Sequence, residues 1–320
     1  MKDGGFSGGG SRMNDSSFSG GEPFLERTYR KSFRAPDLTF FHIAVEQTDL
    51  LVGIGDHAAN DNHGRDHAAN DNHGRDHAAN DSHGRDHAAN DSHGGYPAQN
   101  IRNRNGLLTA RILQAAEESA GNAVLACRGQ LETQIRLQPG FLTSLVPLAL
   151  PVACPLLIAE MVRAARLADV GPMAAVAGAV AERVGRMLAE RFSEVLVENG
   201  GDIWITGTRD RAAGLFCGNS PLNGKLGLRL PAGGFPLGLC TSSGTIGHSL
   251  SFGRADAATV KAKSASLADA VATGFGNRVK TAEDIPDALE WASSIPGILG
   301  LLVVIGDRMG VWGDMELKVL

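Results

Sequence analysis

The stretch "SEVLVENGGDIWITG" (residues 193–207) decides the architecture. Its two apolar, β-branched runs, "SEVLVE" (193–198) and "IWITG" (203–207), read as strands, and "NGGD" (199–202) between them reads as a turn. Asn-Gly at that place is the strongest short-range hairpin signal, because paired left-handed residues match the twist of the flanking strands. A hairpin commits the sheet to antiparallel pairing. Glu198, polar at the end of a strand that otherwise looks buried, and the second glycine, which leaves backbone bare to a ligand, add a functional reading to the structural one.

The same pattern continues outward. "TFFHIAVEQ" (39–47) and "DLLVGIG" (49–55) predict a second hairpin turning at Thr48-Asp49. Further strands are expected at 132–137 ("ETQIRL"), 214–217, 225–230, 255–261, 298–305 and 315–320. Helical periodicity predicts helices over 103–119, 156–167, 172–192 and from 267 to 275, with Thr281 and Asp284 resembling a helix cap. The 172–192 helix opens on small residues, and its start is expected to offer free N–H groups to an anion. The longest apolar run, 141–161, is broken by Pro147, Pro151 and Pro155, which predicts a buried extended-to-helix segment rather than a membrane span. The absence of a run of βαβ units argues against a doubly wound nucleotide fold and for an α+β chain with mixed, largely antiparallel sheets and packed helices.

Composition fits one domain: 320 residues, 43% hydrophobic, few aromatics and 41 glycines. Residues 1–26 read as a Gly/Ser-rich tail and 27–320 as a single domain. That domain is interrupted at 56–95 by four tandem copies of a unit beginning "DHAAND". Eight Asp and three Arg in the repeats account for the chain's net charge of −5, so the remainder is neutral and has no basic stripe for nucleic acid. Eight of the ten histidines lie there; Gly and Asn-Asp runs make the repeats a loop, with adventitious nickel, copper or zinc binding as the alternative. Four separated cysteines and no secretory leader predict reduced thiols and a cytoplasmic chain.

Two further stretches carry chemistry. "CTSSGTIGHSLSFGRAD" (240–256) supplies hydroxyls and amides from Thr241, Ser242, Ser243 and Gly244, with Arg254 as a charge partner for phosphate oxygens. His248 reads as an acid/base group, a ligand contact or a structurally satisfied histidine. A triad of Ser242 or Ser243 with His248 and Asp256 lacks any nucleophile elbow. In "ASLADAVATGFGN" (265–277), Asp269 and Thr273 stand four apart and would share a helix face, two hard oxygen ligands of the kind Mg²⁺ takes. The plain alternative is a helix-start charge and a packed threonine.

The order of these blocks resembles the ApbE-like superfamily, which includes flavin transferases, and is most similar to its shorter uncharacterised branch. The blocks are "TDLLVG" (48–53), "VGPMAAVAGAVAE" (170–182), "VENGGDIWITG" (197–207), "CTSSGTIGHSLSFGRADAATV" (240–260) and "LADAVATGFGNRV" (267–279). The resemblance implies an ApbE-like (T-fold-like) architecture and a bound FAD or FMN. Asp269 and Thr273 would match a metal pair for Mg²⁺. Asn199, Gly200, Gly201 and Asp202 would match the glycine-rich turn, with Ser243, Gly244 and His248 at a Ser-Gly followed by His. Where transferases carry a lysine before a glycine, and an aspartate four residues beyond it, this chain has Ala177, Gly178 and Glu182; the transferases' Asp-Pro and Thr-Gly after the histidine are absent. Two readings stay open: Mg²⁺-dependent FAD processing or FMN transfer, and a non-transferring ligand-binding or accessory protein. The second includes a role in sulfur assimilation or homocysteine formation, for which Cys240 is the residue to probe. A small phosphorylated ligand is the expected partner, with no nucleic acid and no membrane, and a homodimer is compatible with the antiparallel edges.

Overall fold

The computed structural model describes residues 35–57, 110–244 and 252–320; of Asp56 and His57 only the backbone is described. The stretch Ala35–Leu320 is one compact unit. The expected tail at 1–26, and the expected insertion at 56–95 apart from its first two residues, lie outside the described residues.

Among the described residues eleven strands make two sheets. Strands β1 (Thr39–Val45), β2 (Thr48–His57), β3 (Phe192–Asn199), β4 (Asp202–Thr206), β7 (Leu237–Ser242), β8 (Ala257–Ala262), β9 (Ile298–Ile305) and β10 (Arg308–Gly313) form one eight-stranded sheet in that order. Every neighbouring pair is antiparallel. The second sheet joins β11 (Glu316–Val319), β6 (Leu226–Leu230) and β5 (Arg211–Gly214). The helices are α1 (Ala110–Leu137), α2 (Gly140–Thr143), α3 (Leu156–Ala168), α4 (Val176–Ala189), α5 (Ala265–Arg278) and α6 (Ile285–Ser293). This is the expected α+β architecture.

Strand alternation divides the large sheet. Leu50, Val52, Val195, Val197, Trp204, Cys240, Ala258, Val260, Leu301 and Val303 join the helices in one core. The opposite face is buried as well, at Leu196, Ile205, Leu239, Thr259, Lys261 and Leu302. The small sheet is tied to it by ion pairs: Arg211 holds both Glu194 (2.6 Å) and Asp37, and Lys261 meets Asp314 (2.7 Å), which just precedes β11. The Arg211 guanidinium keeps the Asp37 carboxyl below its usual range.

Helix α5 lies at the centre of the helical layer, against β7, β8, α3 and α4. Its Ser264 cap accepts the Leu267 N–H, and it is buried on nearly all sides, its Ala and Gly residues letting neighbouring elements come close. The helix N-terminal to it in sequence, α4, approaches so closely that a Cβ on Gly178 would sit 2.2 Å from the Ala265 carbonyl oxygen.

Several expectations are corrected. "ETQIRL" is no strand: it is the last part of α1, whose buried stripe of Ala116, Ala120, Val124, Cys127, Leu131 and Gln134 runs through Gly121 and stops only before Pro139. The first hairpin turns at Glu46-Gln47, with Glu46 at φ 51°, rather than at Thr48-Asp49. The 172–192 helix is a 3₁₀ turn (Pro172–Ala175) followed by α4, and Phe192 already begins β3. The 141–161 run has the expected extended-to-helix form, yet Leu142, Leu145, Val146, Val152 and Leu156 are exposed rather than buried. The cap at 281–284 is a full capping box. No described single helix is long and apolar enough to cross a membrane.

Candidate functional site

The hairpin tip is built by its glycines. Asn199 pairs with Asp202 across a two-residue loop whose Gly200 (φ 71°) and Gly201 (φ 103°) are both left-handed, the conformation side chains resist. Glu198 tightens the tip by accepting the Gly201 N–H at 2.7 Å. Alternation sends Glu198 to the far face and turns Asn199 and Asp202 toward the helices. There the Asn199 side-chain amide donates to the Ala177 carbonyl (3.1 Å).

Asp269 faces this tip from α5. Its Oδ2 accepts the Gly178 N–H at 2.8 Å, and the Ala177 N–H donates to the same carboxylate. The start of α4 therefore does not offer these amides to an outside anion, as expected from sequence; the protein's own aspartate takes them. Asp202 lies close enough to Asp269 for the two carboxylates to repel, and it is further bonded by the Cys240 thiol and the Thr241 backbone. Burial is the main cause that lifts both groups: Asp202 well above its usual range, and Asp269 from 3.8 to about 7 against the pull of its two amides. The charges acting most strongly on Asp202 are the carboxylates of Asp269 and Glu198. A buried acidic pair whose strongest charged influences among the described residues are themselves acidic is the electrostatic signature of a place that favours either protons or a cation.

Cys240 contributes as a donor. It is fully buried, its thiol lies 3.4 Å from the Ala265 carbonyl, and burial followed by the nearby Asp202 charge pushes its pKa well above normal. A thiol held protonated is a poor nucleophile.

The site continues along α5. Asp269, Thr273 and Asn277 follow one another at four-residue steps, one face over about 12 Å of helix. Thr273 and Asn277 are half-buried. At the far end, the two arms of the 240–256 loop are stitched together and onto the helix. Gly244 N–H donates to the Ala255 carbonyl (2.8 Å), Phe252 N–H to Asn277 Oδ1 (2.8 Å), and Arg254 N–H to the Val279 carbonyl (2.8 Å). Ser242 approaches α5 at Gly276, on the same face of the sheet as Cys240.

Of the residues singled out from sequence, the structure brings the Asn199–Asp202 turn beside Asp269, with Thr273 one step along the same helix; Ser242 lies further along α5 at Gly276, and Gly244 joins the loop neck at Ala255. Thr241 presents its backbone at that turn, but its hydroxyl bonds Thr259 at 2.9 Å on the opposite face. Arg254 is exposed, with its backbone fixed to Val279. Asp256, the third member of the conceivable triad, accepts the Gly306 N–H at 2.7 Å. His248 lies outside the described residues.

Three contributors play roles that the sequence did not indicate. The Ala177-Gly178 backbone has no side-chain signal at all. Cys240 reads as a reactive group until its burial is known. Glu182 accepts from the Ala265 N–H (2.7 Å), the Ser266 N–H and the Ser264 hydroxyl (3.0 Å), and so caps the start of α5 from α4. Its position four residues beyond Gly178 in the quoted block was the available clue.

Asp269 and Thr273 suit a hard cation by donor type, and Asp202 adds a second carboxylate nearby. Among the described residues no group of three or more His, Cys, Asp or Glu side chains is arranged to hold a metal. A cation here would thus take few protein ligands, as Mg²⁺ does when water and phosphate complete its shell.

The fold and its site define an α+β protein with largely antiparallel sheets and a buried acidic pair beside one helix. A family model described as "AbpE bacteria" matches residues 107–293, and the chain belongs to that family. It is 44% identical over 202 residues to a UPF0280 protein of Methanothermobacter thermautotrophicus, covering 62% of this chain and 78% of the relative. A UPF0280 protein of Methanocaldococcus jannaschii is 41% identical over 203 residues, covering 62% and 82%. Among solved structures, the flavin transferase ApbE from Vibrio cholerae overlays with a TM-score of 0.40 at 13% identity, covering 87% of this chain and 97% of its own. The apo flavinyl transferase ApbE of Pseudomonas stutzeri gives 0.39 at 12%, covering 86% and 94%. Those overlays are too loose to assign any residue a role.

Proposed function

We propose that this chain binds a phosphorylated nucleotide of the flavin class along the Asp269–Thr273–Asn277 face of α5, with Mg²⁺ held by Asp269 and Thr273. One observation carries the reading: two buried carboxylates, Asp202 and Asp269, meet at a glycine turn with no cationic partner among their strongest influences. A divalent cation would supply the missing charge and neutralise diphosphate oxygens. Backbone and hydroxyl groups of Ser242, Ser243 and Gly244 at the loop neck would then face the phosphates. The bare turn at Gly200-Gly201 would allow the guest to lie close to the chain. Mg²⁺-dependent FAD hydrolysis or FMN transfer is the chemistry such binding would serve, with His248 as its acid/base group.

A second reading is binding without transfer. Ala177 favours it, since a methyl stands where the superfamily's transferases carry a lysine, and a lost charged hydrogen bond there is worth about 1.5–3 kcal/mol. The buried, protonated Cys240 gives no support to a thiol-based role in sulfur chemistry.

The test is direct. Purified protein is incubated with FAD, with and without Mg²⁺, and followed by thermal shift, by mass spectrometry of retained small molecules and by chromatography for FMN and AMP. A Mg²⁺-dependent shift that Asp269→Asn removes supports the site; FMN and AMP distinguish the first reading from the second. Neither shift nor retained nucleotide would reject both.

A further inference from the structure

The strap between α1 and α3 presents an unusual surface. From Leu137 to Ala159 there are 23 residues without a single charged side chain. Seven large apolar residues in it are exposed: Leu137 (78%), Leu142, Leu145, Val146 (64%), Leu150, Val152 (108%) and Leu156. Seven such side chains in one uncharged stretch supply apolar surface on the order of the largest patch, about 300–600 Å², that a typical monomer shows.

This surface is pinned from beneath. Phe141, Leu157 and Ile158 are buried, and Leu148 packs against the core. The Ser144 hydroxyl donates to the Val146 carbonyl (2.7 Å) and accepts the Val146 N–H. The Ser144 carbonyl lies against Gly171 so closely that a Cβ there would be 1.7 Å away. Three prolines, Pro147, Pro151 and Pro155, remove backbone donors and restrict the chain further. The outward row is therefore preorganised, which lowers the cost of burying it.

We infer that the 137–156 strap is the interface of a homodimer, packed two-fold against the same strap of a second copy. Area argues for this occupant: a patch of that order on each of two copies reaches the lower end of the roughly 1,200–2,000 Å² of standard interfaces. Charge argues for it too. A membrane-surface segment sets basic residues beside its apolar ones, and this run has none. A two-fold contact covers both copies of the patch at once and leaves none exposed. The inference is independent of the ligand reading.

Sedimentation velocity and light scattering on the full chain at micromolar concentration test it. The expected mass is twice the 33.5 kDa of one chain. The double variant Val146→Asp/Val152→Asp should weaken self-association at least about 100-fold, because like charges are brought together across the axis. Hydrogen exchange on the unmodified protein supplies a readout that needs no variant: protection of amides within 142–156 should rise with concentration. A monomer at these concentrations, a dimer that survives the double variant with unchanged affinity, or concentration-independent exchange in the strap overturns the inference. So does a wild-type monomer that sediments with phosphatidylcholine/phosphatidylserine vesicles, which would assign the strap to a membrane. If the double variant does not fold, the wild-type mass and exchange decide.

Discussion

The acidic band on α5 and the strap at 137–156 are opposites. The first puts carboxylates where water is excluded; the second puts leucine and valine where water is present. Each is disfavoured taken alone, since a buried charge lacks its solvation and an exposed apolar side chain lacks its neighbours. The chain keeps both on rigid supports: α5 is held at both ends, by Glu182 at its start and by the loop neck at its finish. The strap is fastened at Phe141, Ser144 and Leu157. Local misfit on a firm scaffold is what the proposed ligand and the proposed second copy would relieve.

The comparison can be broken most severely at Gly178. Valine there would drive a methyl-bearing Cβ into the Ala265 carbonyl and part α4 from α5, a destabilisation of about 3 kcal/mol or more in urea unfolding. Asp269→Asn should fold and should abolish any Mg²⁺-induced rise in melting temperature, while leaving self-association untouched. A retained Mg²⁺ response would move the cation elsewhere.

pH sharpens the contrast, because only the band titrates. The Asp269 carboxyl, at about 7 in the fold against 3.8 when free, binds its proton more tightly in the folded chain. Its contribution to the metal-free protein is therefore favourable at low pH, is lost as pH rises from about 4 to about 7, and is constant above. Cation binding displaces that proton, so apparent Mg²⁺ affinity should climb roughly tenfold per pH unit below 7 and level off beyond it. Titration calorimetry across pH checks both directions, and the asparagine variant should flatten the profile.

Smaller effects complete the series. Asn199→Ala removes one buried donor to the Ala177 carbonyl and should cost about 1 kcal/mol. Val152→Asp, at a fully exposed position, should change unfolding free energy by less than about 0.5 kcal/mol while still weakening association.

Much of the band was legible in sequence, because its parts are local. Asn199-Gly200-Gly201-Asp202 specifies its own turn, and the four-residue step from Asp269 to Thr273 specifies a shared face. What sequence could not show was the partnering. Amides of Ala177 and Gly178 carry no residue signature, and Cys240 looks the same whether open to solvent or sealed beneath Ala265. The error at 132–137 has a physical cause as well. Thr133, Ile135 and Leu137 favour a strand in isolation, but Leu131 and Gln134 extend a buried stripe that had begun at Ala116. For the strap, apolar composition predicted burial; the prolines permitted an extended chain to lie on the surface with only every few residues turned inward.

Glu182 and Asp269 have a joint consequence. The positive poles of α5 and α4 are the two natural seats for a phosphoryl group in this part of the molecule, and each is already taken by a carboxylate of the chain itself. A guest approaching the flank of α5 thus meets hydroxyls and acid but no vacant helix pole. On the proposed reading its negative charge would arrive with a metal ion, and the cation would then be an entry requirement for the guest rather than an aid to it.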